Sequence, residues 1–222
     1  SLIYLCASFS VLLLTGIIIY IFVRGINSVN WEFLTTVTSV LHHTVGIAGN
    51  ILNTIIIIIL TMIIATPIGV GAAVYLNEYA KPGKLLSAIE FATETLSGIP
   101  SIIFGLFGMM FFGQTLHMGY SLLTGALTLI LMVLPLITRN TQEALKTVPT
   151  SYRHGSVGLG AGKWYTIRTI LLPSAMPGII TGVILAIGRI VGESAALLFT
   201  AGSAKLLPKG IMGLLGKPLQ SG

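Results

Sequence analysis

Residues 47–76 read IAGNILNTIIIIILTMIIATPIGVGAAVYL and contain no charged side chain. A helix needs about 20 consecutive apolar residues to cross the hydrocarbon core of a membrane. This stretch is longer than that, and Pro67, Gly69 and Gly71 near its end predict a tilt or a kink. The stretch therefore predicts a membrane-spanning helix.

The composition of the whole chain agrees with a membrane location. Of its 222 residues, 54% are hydrophobic and only 8% are charged, whereas roughly 25% of residues are charged in soluble domains. The single cysteine, Cys6, excludes an intrachain disulfide. The composition excludes a cytosolic enzyme, a disordered tail and a secreted disulfide scaffold.

Five stretches are long and apolar enough to span a membrane. We predict an all-α fold: one transmembrane domain over residues 1–222, with a sixth helix expected beyond this chain. The third span is interrupted by Gly98-Ile99-Pro100, and the backbone groups freed there should face protein. The five predicted spans cover residues 2–23, 47–76, 85–112, 121–138 and 174–201.

The positive charges favour one orientation. The second and fourth predicted spans are followed by connections that together carry seven of them, and the positive-inside rule makes that side, and with it the N-terminus, cytoplasmic. The net charge of +6 therefore reports topology, so we expect contact with membrane lipid and not with nucleic acid. The seven cations are Lys81, Lys84, Arg139, Lys146, Arg153, Lys163 and Arg168.

The predicted cytoplasmic loop 139–173 is long enough to carry a function or structure of its own. Pro149-Thr150-Ser151 predicts a helix start and Gly160-Ala161-Gly162 predicts its end, so we expect a short helix over residues 151–159. The segment GLGAGK at 158–163 is only superficially like a nucleotide-binding loop, because Trp164 stands where a Ser or Thr must bind magnesium.

This loop resembles the coupling segment of ABC-importer permeases. That pattern (Glu-Ala-Ala, three residues, Gly, nine residues, Ile-x-Leu-Pro) falls with full spacing on His154-Gly155-Ser156, Gly160 and Ile170 to Pro173, although the first triplet differs. The segments PIGVGAAVYLNEY (67–79), LSGIPSIIFGL (96–106) and GRIVGES (188–194) are similar to phosphate-importer permeases. Over residues 47–202 the chain most resembles the PstA type within the type I importers.

The resemblance implies the membrane subunit of an ATP-driven phosphate importer in a bacterial or archaeal cell membrane. It implies a homologous PstC-like permease, two PstB-like ATPase subunits that hold ATP and Mg, and an extracytoplasmic PstS-like phosphate-binding protein. No cofactor and no catalytic residue is expected on the chain itself. Coupling to the ATPase is assigned to the loop helix within 151–163, through Ser151, Tyr152, Arg153, His154, Gly155, Ser156, Gly160 and Lys163.

Arg189 and Glu193 are charges inside the last predicted span. Being four residues apart, they share one helix face, and a charge in the membrane costs about 3 kcal/mol by insertion scales. We interpret Arg189 as a pathway residue whose planar fork binds a pair of phosphate oxygens, with Glu193 holding the guanidinium in place. The alternative is a buried, neutralised pair that only fixes helix packing.

Glu90 and Glu94, near the inner end of the third span, could line the inner mouth or pair with Lys84 or Arg139. We favour pairing, because carboxylates there would repel a departing anion. His42 and His43 lack enough convergent ligands to predict a metal site.

Three alternatives to a phosphate permease remain at this point. A permease for another oxyanion, such as sulfate or molybdate, belongs to the same class. An ATP-independent ion-coupled carrier using Arg189 and Glu193 would not need the long coupling loop. An intramembrane enzyme would need a nucleophile with a base or a metal motif such as His-Glu-x-x-His, and the sequence contains neither.

Overall fold

The structure, a computed structural model, describes residues 2–39 and 44–202. Helices dominate it, which confirms the predicted all-α membrane fold. The chain divides into two compact units, Ser1–Leu52 and Asn53–Gly222. The predictions for His42, for His43 and for the chain after residue 202 lie outside the described residues.

The first unit contains one long apolar helix followed by short elements. Its small hairpin is antiparallel, with Val37 opposite Ile47, and the hydroxyl of Thr38 donates to the carbonyl of Gly46 at 2.6 Å. Strands this short were not predicted, since they hold too few residues for an alternating pattern. The elements are α1 (Leu2–Gly25), a 3₁₀ turn (Ile26–Ser28), α2 (Trp31–Thr35), β1 (Val37–Ser39) and β2 (Thr44–Ile47).

The second unit is built from helices, three of which run on into a π-helical segment. The elements are α3 (Ala48–Val74) with Tyr75–Tyr79, α4 (Lys84–Gly98), α5 (Ser101–Gly108) with Met109–Thr115, α6 (Leu122–Thr147), α7 (Thr150–Gly158), α8 (Lys163–Thr166) with Ile167–Leu171, α9 (Leu172–Val191) and α10 (Ala195–Thr200).

Among the described residues, four helical segments are long and apolar enough to cross a membrane. They correspond to the first, second, fourth and fifth predicted spans. A bent pair of helices raises the number to five if the pair forms one span. The four segments are Ile3–Gly25, Ala48–Tyr79, Leu122–Thr147 and Lys163–Val191.

The third predicted span is not one straight helix. α4 and the segment from Ser101 to Thr115 meet at an angle of 100°. Ile99 at the break is extended, with φ −72° and ψ 132°, because the ring of Pro100 disfavours helical geometry at the preceding residue. The Gly-Ile-Pro interruption seen in the sequence thus changes the direction of the chain.

Helices cover most of the predicted loop 139–173. Residues 139–147 continue α6, and residues 163–173 already belong to the helical segments that lead into α9. Only residues 148–149 and 159–162 lie outside helices. The hydropathy pattern marks where a helix leaves the hydrocarbon core, whereas the helix itself continues for as long as its backbone bonds are satisfied.

The fifth predicted span also ends earlier than expected. α9 stops at Val191, and Gly192 to Ser194 separate it from α10. Residues 174–201 are therefore two helices and not one.

The core of the second unit lies around α6, whose side chains are buried along most of its length. Ser121 caps this helix by accepting a hydrogen bond from the Thr124 amide at 3.1 Å. α9 packs closely on α6: a Cβ added at Gly182 of α9 would lie only 2.7 Å from the Cβ of Asn140 of α6. Small residues at such contacts allow helix backbones to approach in a membrane.

Candidate functional site

The short helix predicted over residues 151–159 is present as α7, Thr150–Gly158. Pro149 precedes it in an extended conformation, which suits a proline just ahead of a helix because it has no amide hydrogen to satisfy. Gly160, with φ +83°, ends it in the left-handed region. The amide of Ala161 then returns to the carbonyl of Ser156 at 3.1 Å, as in a helix C-cap.

One side of α7 faces away from the rest of the unit. Ser151, Tyr152, His154 and Gly155 are exposed, as are Val157 and Leu159, and Leu159 is 90% accessible. A run of exposed aromatic and aliphatic side chains on a short helix is typical of a protein-docking surface. Gly160 and Lys163 of the predicted coupling set are exposed beside it.

The opposite side of α7 is tied to α8. The buried Ser156 hydroxyl lies 2.7 Å from that of Thr166, and the Thr166 hydroxyl also donates to the carbonyl of Gly162 at 3.2 Å. Ser156, which the sequence assigned to the ATPase contact, is thus buried within this chain. It lies three residues from Arg153, so both side chains extend from the inner side of the helix.

Arg153 is also directed inward. Its Nη2 donates to Glu78 Oε1 at 2.8 Å and to the carbonyl of Leu145 at 3.3 Å, while Nη1 donates to the carbonyl of Val148 at 3.4 Å. Asn77 donates to the same Glu78 oxygen at 2.8 Å. The guanidinium thus satisfies carbonyls in the last turn of α6 and at the residue after it, which have no helical partner.

Lys163 contacts the π-helical segment Tyr75–Tyr79, which contains Glu78. Its ammonium donates to the carbonyl of Glu78 and lies 4.7 Å from the centroid of the Tyr79 ring. A cation is favoured at a helix C-terminus by the backbone dipole and by the face of an aromatic ring. Arg153 and Lys163 were expected to contact the ATPase, but in this structure their charged groups bind within the chain.

Sequence reasoning missed Glu78. It is one of only six acidic residues, and it stands at the end of the second span, beside connections that hold seven cations. That isolated negative charge was the available signal. Its partner could not be read from the sequence, because Glu78 and Arg153 are 75 positions apart.

Arg189 and Glu193 do not form the predicted pair. Arg189 is half-buried in the last turn of α9. Among the residues that the structure describes (2–39 and 44–202), its guanidinium forms no ion pair. Glu193 lies beyond the end of α9, and its Oε1 accepts a hydrogen bond from the Ala196 amide at 3.0 Å. The prediction failed because the helix ends between the two residues, so the four-residue spacing no longer places them on one face.

Glu94 lies 3.4 Å from Arg139 Nη1, and both side chains are largely exposed. Arg139 is one of the two partners that the sequence favoured for pairing. Glu90 is exposed on α4. Exposed pairs of this kind contribute little to stability. Within the described residues, no group of three or more His, Cys or Glu side chains could hold a metal ion.

Gly155→Ala is expected to stabilise α7 by about 0.5–1 kcal/mol, since glycine costs that much in a helix interior. A Cβ at Gly155 would meet no atom within 4 Å. Thermal unfolding of the purified protein measures the change. The matched control is Gly160→Ala, where space is equally open but φ is +83°. It should lower stability, and a similar rise in both variants would contradict the explanation.

These observations define a polytopic helical membrane protein with an exposed helix suited to docking. Residues 65–217 match the family model described as "Binding-protein-dependent transport system inner membrane component". The chain belongs to this family.

Several curated proteins are similar to it. The "Probable ABC transporter permease protein YqgI" of Bacillus subtilis is 41% identical over 89% of this chain and 67% of the relative. The "Phosphate transport system permease protein PstA" of Xylella fastidiosa (strain Temecula1) is 36% identical over 80% and 62%, respectively. The chain thus spans about two thirds or less of the length of these curated relatives.

A solved structure is also similar. The inward-facing MetNI methionine ABC transporter aligns with a TM-score of 0.56 and 25% identity, over 68% of this chain and 70% of the matched chain. This similarity and the family match agree with the type I importer permease that the sequence resembles.

Proposed function

We propose that this chain is the membrane subunit of an ATP-driven phosphate importer, in which it forms half of the translocation pathway. The main observation is α7, a short helix at the end of the bundle whose Tyr152 and Val157, with Leu159 just after it, are exposed. The family match supports a role in binding-protein-dependent transport. Relatives named as phosphate permeases support phosphate as the substrate.

α7 is the proposed contact with a separate ATPase. Tyr152, Val157 and Leu159 would be covered by the partner's groove, which removes their apolar surface from water. A short helix seated in such a groove moves with the partner as a rigid element. ATP and Mg would belong to two PstB-like subunits and not to this chain.

The remaining partners and the orientation follow from the same proposal. A homologous PstC-like permease would complete the pathway, and a PstS-like protein would deliver phosphate from outside. The N-terminus would be cytoplasmic. The contacts of Arg153 and Lys163 with Glu78 support placing both charged connections on the same side of the membrane.

Arg189 is the proposed anion contact of the pathway, with Glu193 near it at the break between α9 and α10. Arg189 is half-buried and forms no ion pair among the described residues, while Glu193 Oε1 accepts a hydrogen bond from the Ala196 amide. A planar guanidinium can bind two phosphate oxygens at once.

Phosphate uptake by membrane vesicles carrying the complete complex tests this function. We expect uptake to require both this chain and an active ATPase, and to resist an excess of sulfate or molybdate. The control is a vesicle preparation with the ATPase inactivated. Inhibition by sulfate or molybdate with transport of that ion would favour a permease for another oxyanion, and uptake without the ATPase would favour an ion-coupled carrier.

A further inference from the structure

The cytoplasmic end proposed for this chain holds an ion pair that joins three helices. Arg153 comes from α7, Glu78 from the π-helical end of α3, and the carbonyls of Leu145 and Val148 from the end of α6 and the residue after it. The Glu78 side chain is only 10% exposed and that of Arg153 26%. A pair this enclosed is screened by water much less than a surface pair.

A second cation, from the residues that follow α7 in the chain, contacts the end of α3. Lys163, the first residue of α8, binds the Glu78 carbonyl and lies over the Tyr79 ring. The segment Tyr75–Tyr79 thus contacts the elements on both sides of residues 159–162, where α7 ends. π-Helical segments are uncommon and often occur at functional sites.

Few contacts hold α7: those of Arg153 and Lys163 just described and the Ser156–Thr166 hydrogen bond to α8. The helix has nine residues, and Gly155 and Gly158 within it face open space. Helices this short are marginal on their own, and glycine weakens them further. Val148-Pro149 on one side and Leu159 to Gly162 on the other provide places where the chain could bend.

We propose that Arg153 and Glu78 are positioning residues that lock α7 to the end of α3, so that displacement of α7 by the ATPase moves α3 as well. The inference rests on the proposed function. It gives Arg153 a role inside the permease rather than at the ATPase surface. Without the ion pair, α7 would pivot about its flanking residues, and ATP hydrolysis would continue with little phosphate moved.

The test uses the complete complex in vesicles, with Arg153→Gln, Glu78→Gln and the charge exchange Glu78→Arg/Arg153→Glu. Two quantities are measured: phosphate transported per ATP hydrolysed, and hydrogen exchange of the α7 amides. We expect each single variant to assemble and to hydrolyse ATP. The KM of transport for phosphate should be unchanged. Transport per ATP should fall about tenfold and α7 exchange should rise about tenfold, the effect of one lost charge-assisted hydrogen bond. The double variant Glu78→Arg/Arg153→Glu, in which the two charges are swapped, should partly restore both the transport per ATP and the slow hydrogen exchange of α7.

The matched control is Glu143→Gln, which removes an exposed ion pair with Lys146 (3.3 Å) near the same end of α6. It should change neither quantity. The inference would be overturned if both single variants had wild-type transport per ATP and wild-type hydrogen exchange. It would also be overturned if swapping the two charges restored none of the transport lost in the single variants. If the unaltered complex fails to move phosphate, the proposed function fails separately, and α7 exchange together with retained ATP hydrolysis still decides on the ion pair.

Discussion

Arg189→Gln is expected to lower phosphate uptake by about 10- to 100-fold while the complex still assembles. A charge-assisted hydrogen bond contributes about 1.5–3 kcal/mol, and each 1.4 kcal/mol corresponds to about a factor of ten. Glutamine keeps much of the length of the side chain but loses the charge and the paired donors. Uptake by vesicles, normalised to the amount of assembled complex, is the measurement.

Two variants sharpen this prediction. Arg189→Lys keeps the charge without the planar fork, so it should retain part of the uptake and bind phosphate less tightly. Arg168→Gln removes an exposed cation from the segment that precedes α9 and should have little effect. Normal uptake by Arg189→Gln would show that Arg189 only contributes to packing.

Gly108→Ala is expected to destabilise the bundle by about 1–3 kcal/mol, the usual cost of overpacking a core. A Cβ at Gly108 would lie 2.0 Å from Thr128 Oγ1 and 2.9 Å from Thr200 Cγ2. Thr128 is fully buried, and its hydroxyl donates to the Thr124 carbonyl at 2.8 Å. It cannot move aside without losing that bond, so α5 must separate from α6 and α10.

The melting temperature of the purified protein measures this effect, and for a chain of this size about 2–4 °C is expected per kcal/mol. Gly188→Ala is the matched control, because a Cβ there would meet no atom within 4 Å. It should leave the melting temperature unchanged or raise it slightly. Equal melting temperatures in the two variants would contradict the packing argument.

The membrane fold and the position of α7 could be predicted from local sequence features. Pro149 and Gly160 limited α7 to within one residue at each end, because each acts on its own backbone. The ends of α6 and α9 could not be predicted in this way. Charged residues at 139–147 suggested a loop, although a helix can continue into water at little cost.

The predicted site residues met a similar limit. The four-residue spacing of Arg189 and Glu193 predicted a pair only on the assumption of one continuous helix, and the break after Val191 removed it. Arg153 was expected to contact the ATPase, since sequence spacing does not say which side of α7 faces the bundle. Its contact with Glu78 exists because the ends of α3 and α6 and the start of α7 lie close together.

The sequence by itself determined that this protein is a polytopic membrane protein with a short docking helix. The free energy of transferring a helix into a membrane is nearly the sum over its consecutive residues. The ends of a short helix follow from the prolines and glycines at those positions. Only the tertiary structure decided that Arg153 binds Glu78, that Glu193 binds the start of α10, and that Gly108 must lack a side chain. Those contacts join residues distant in sequence or depend on where a helix breaks, so they are fixed by how the helices pack.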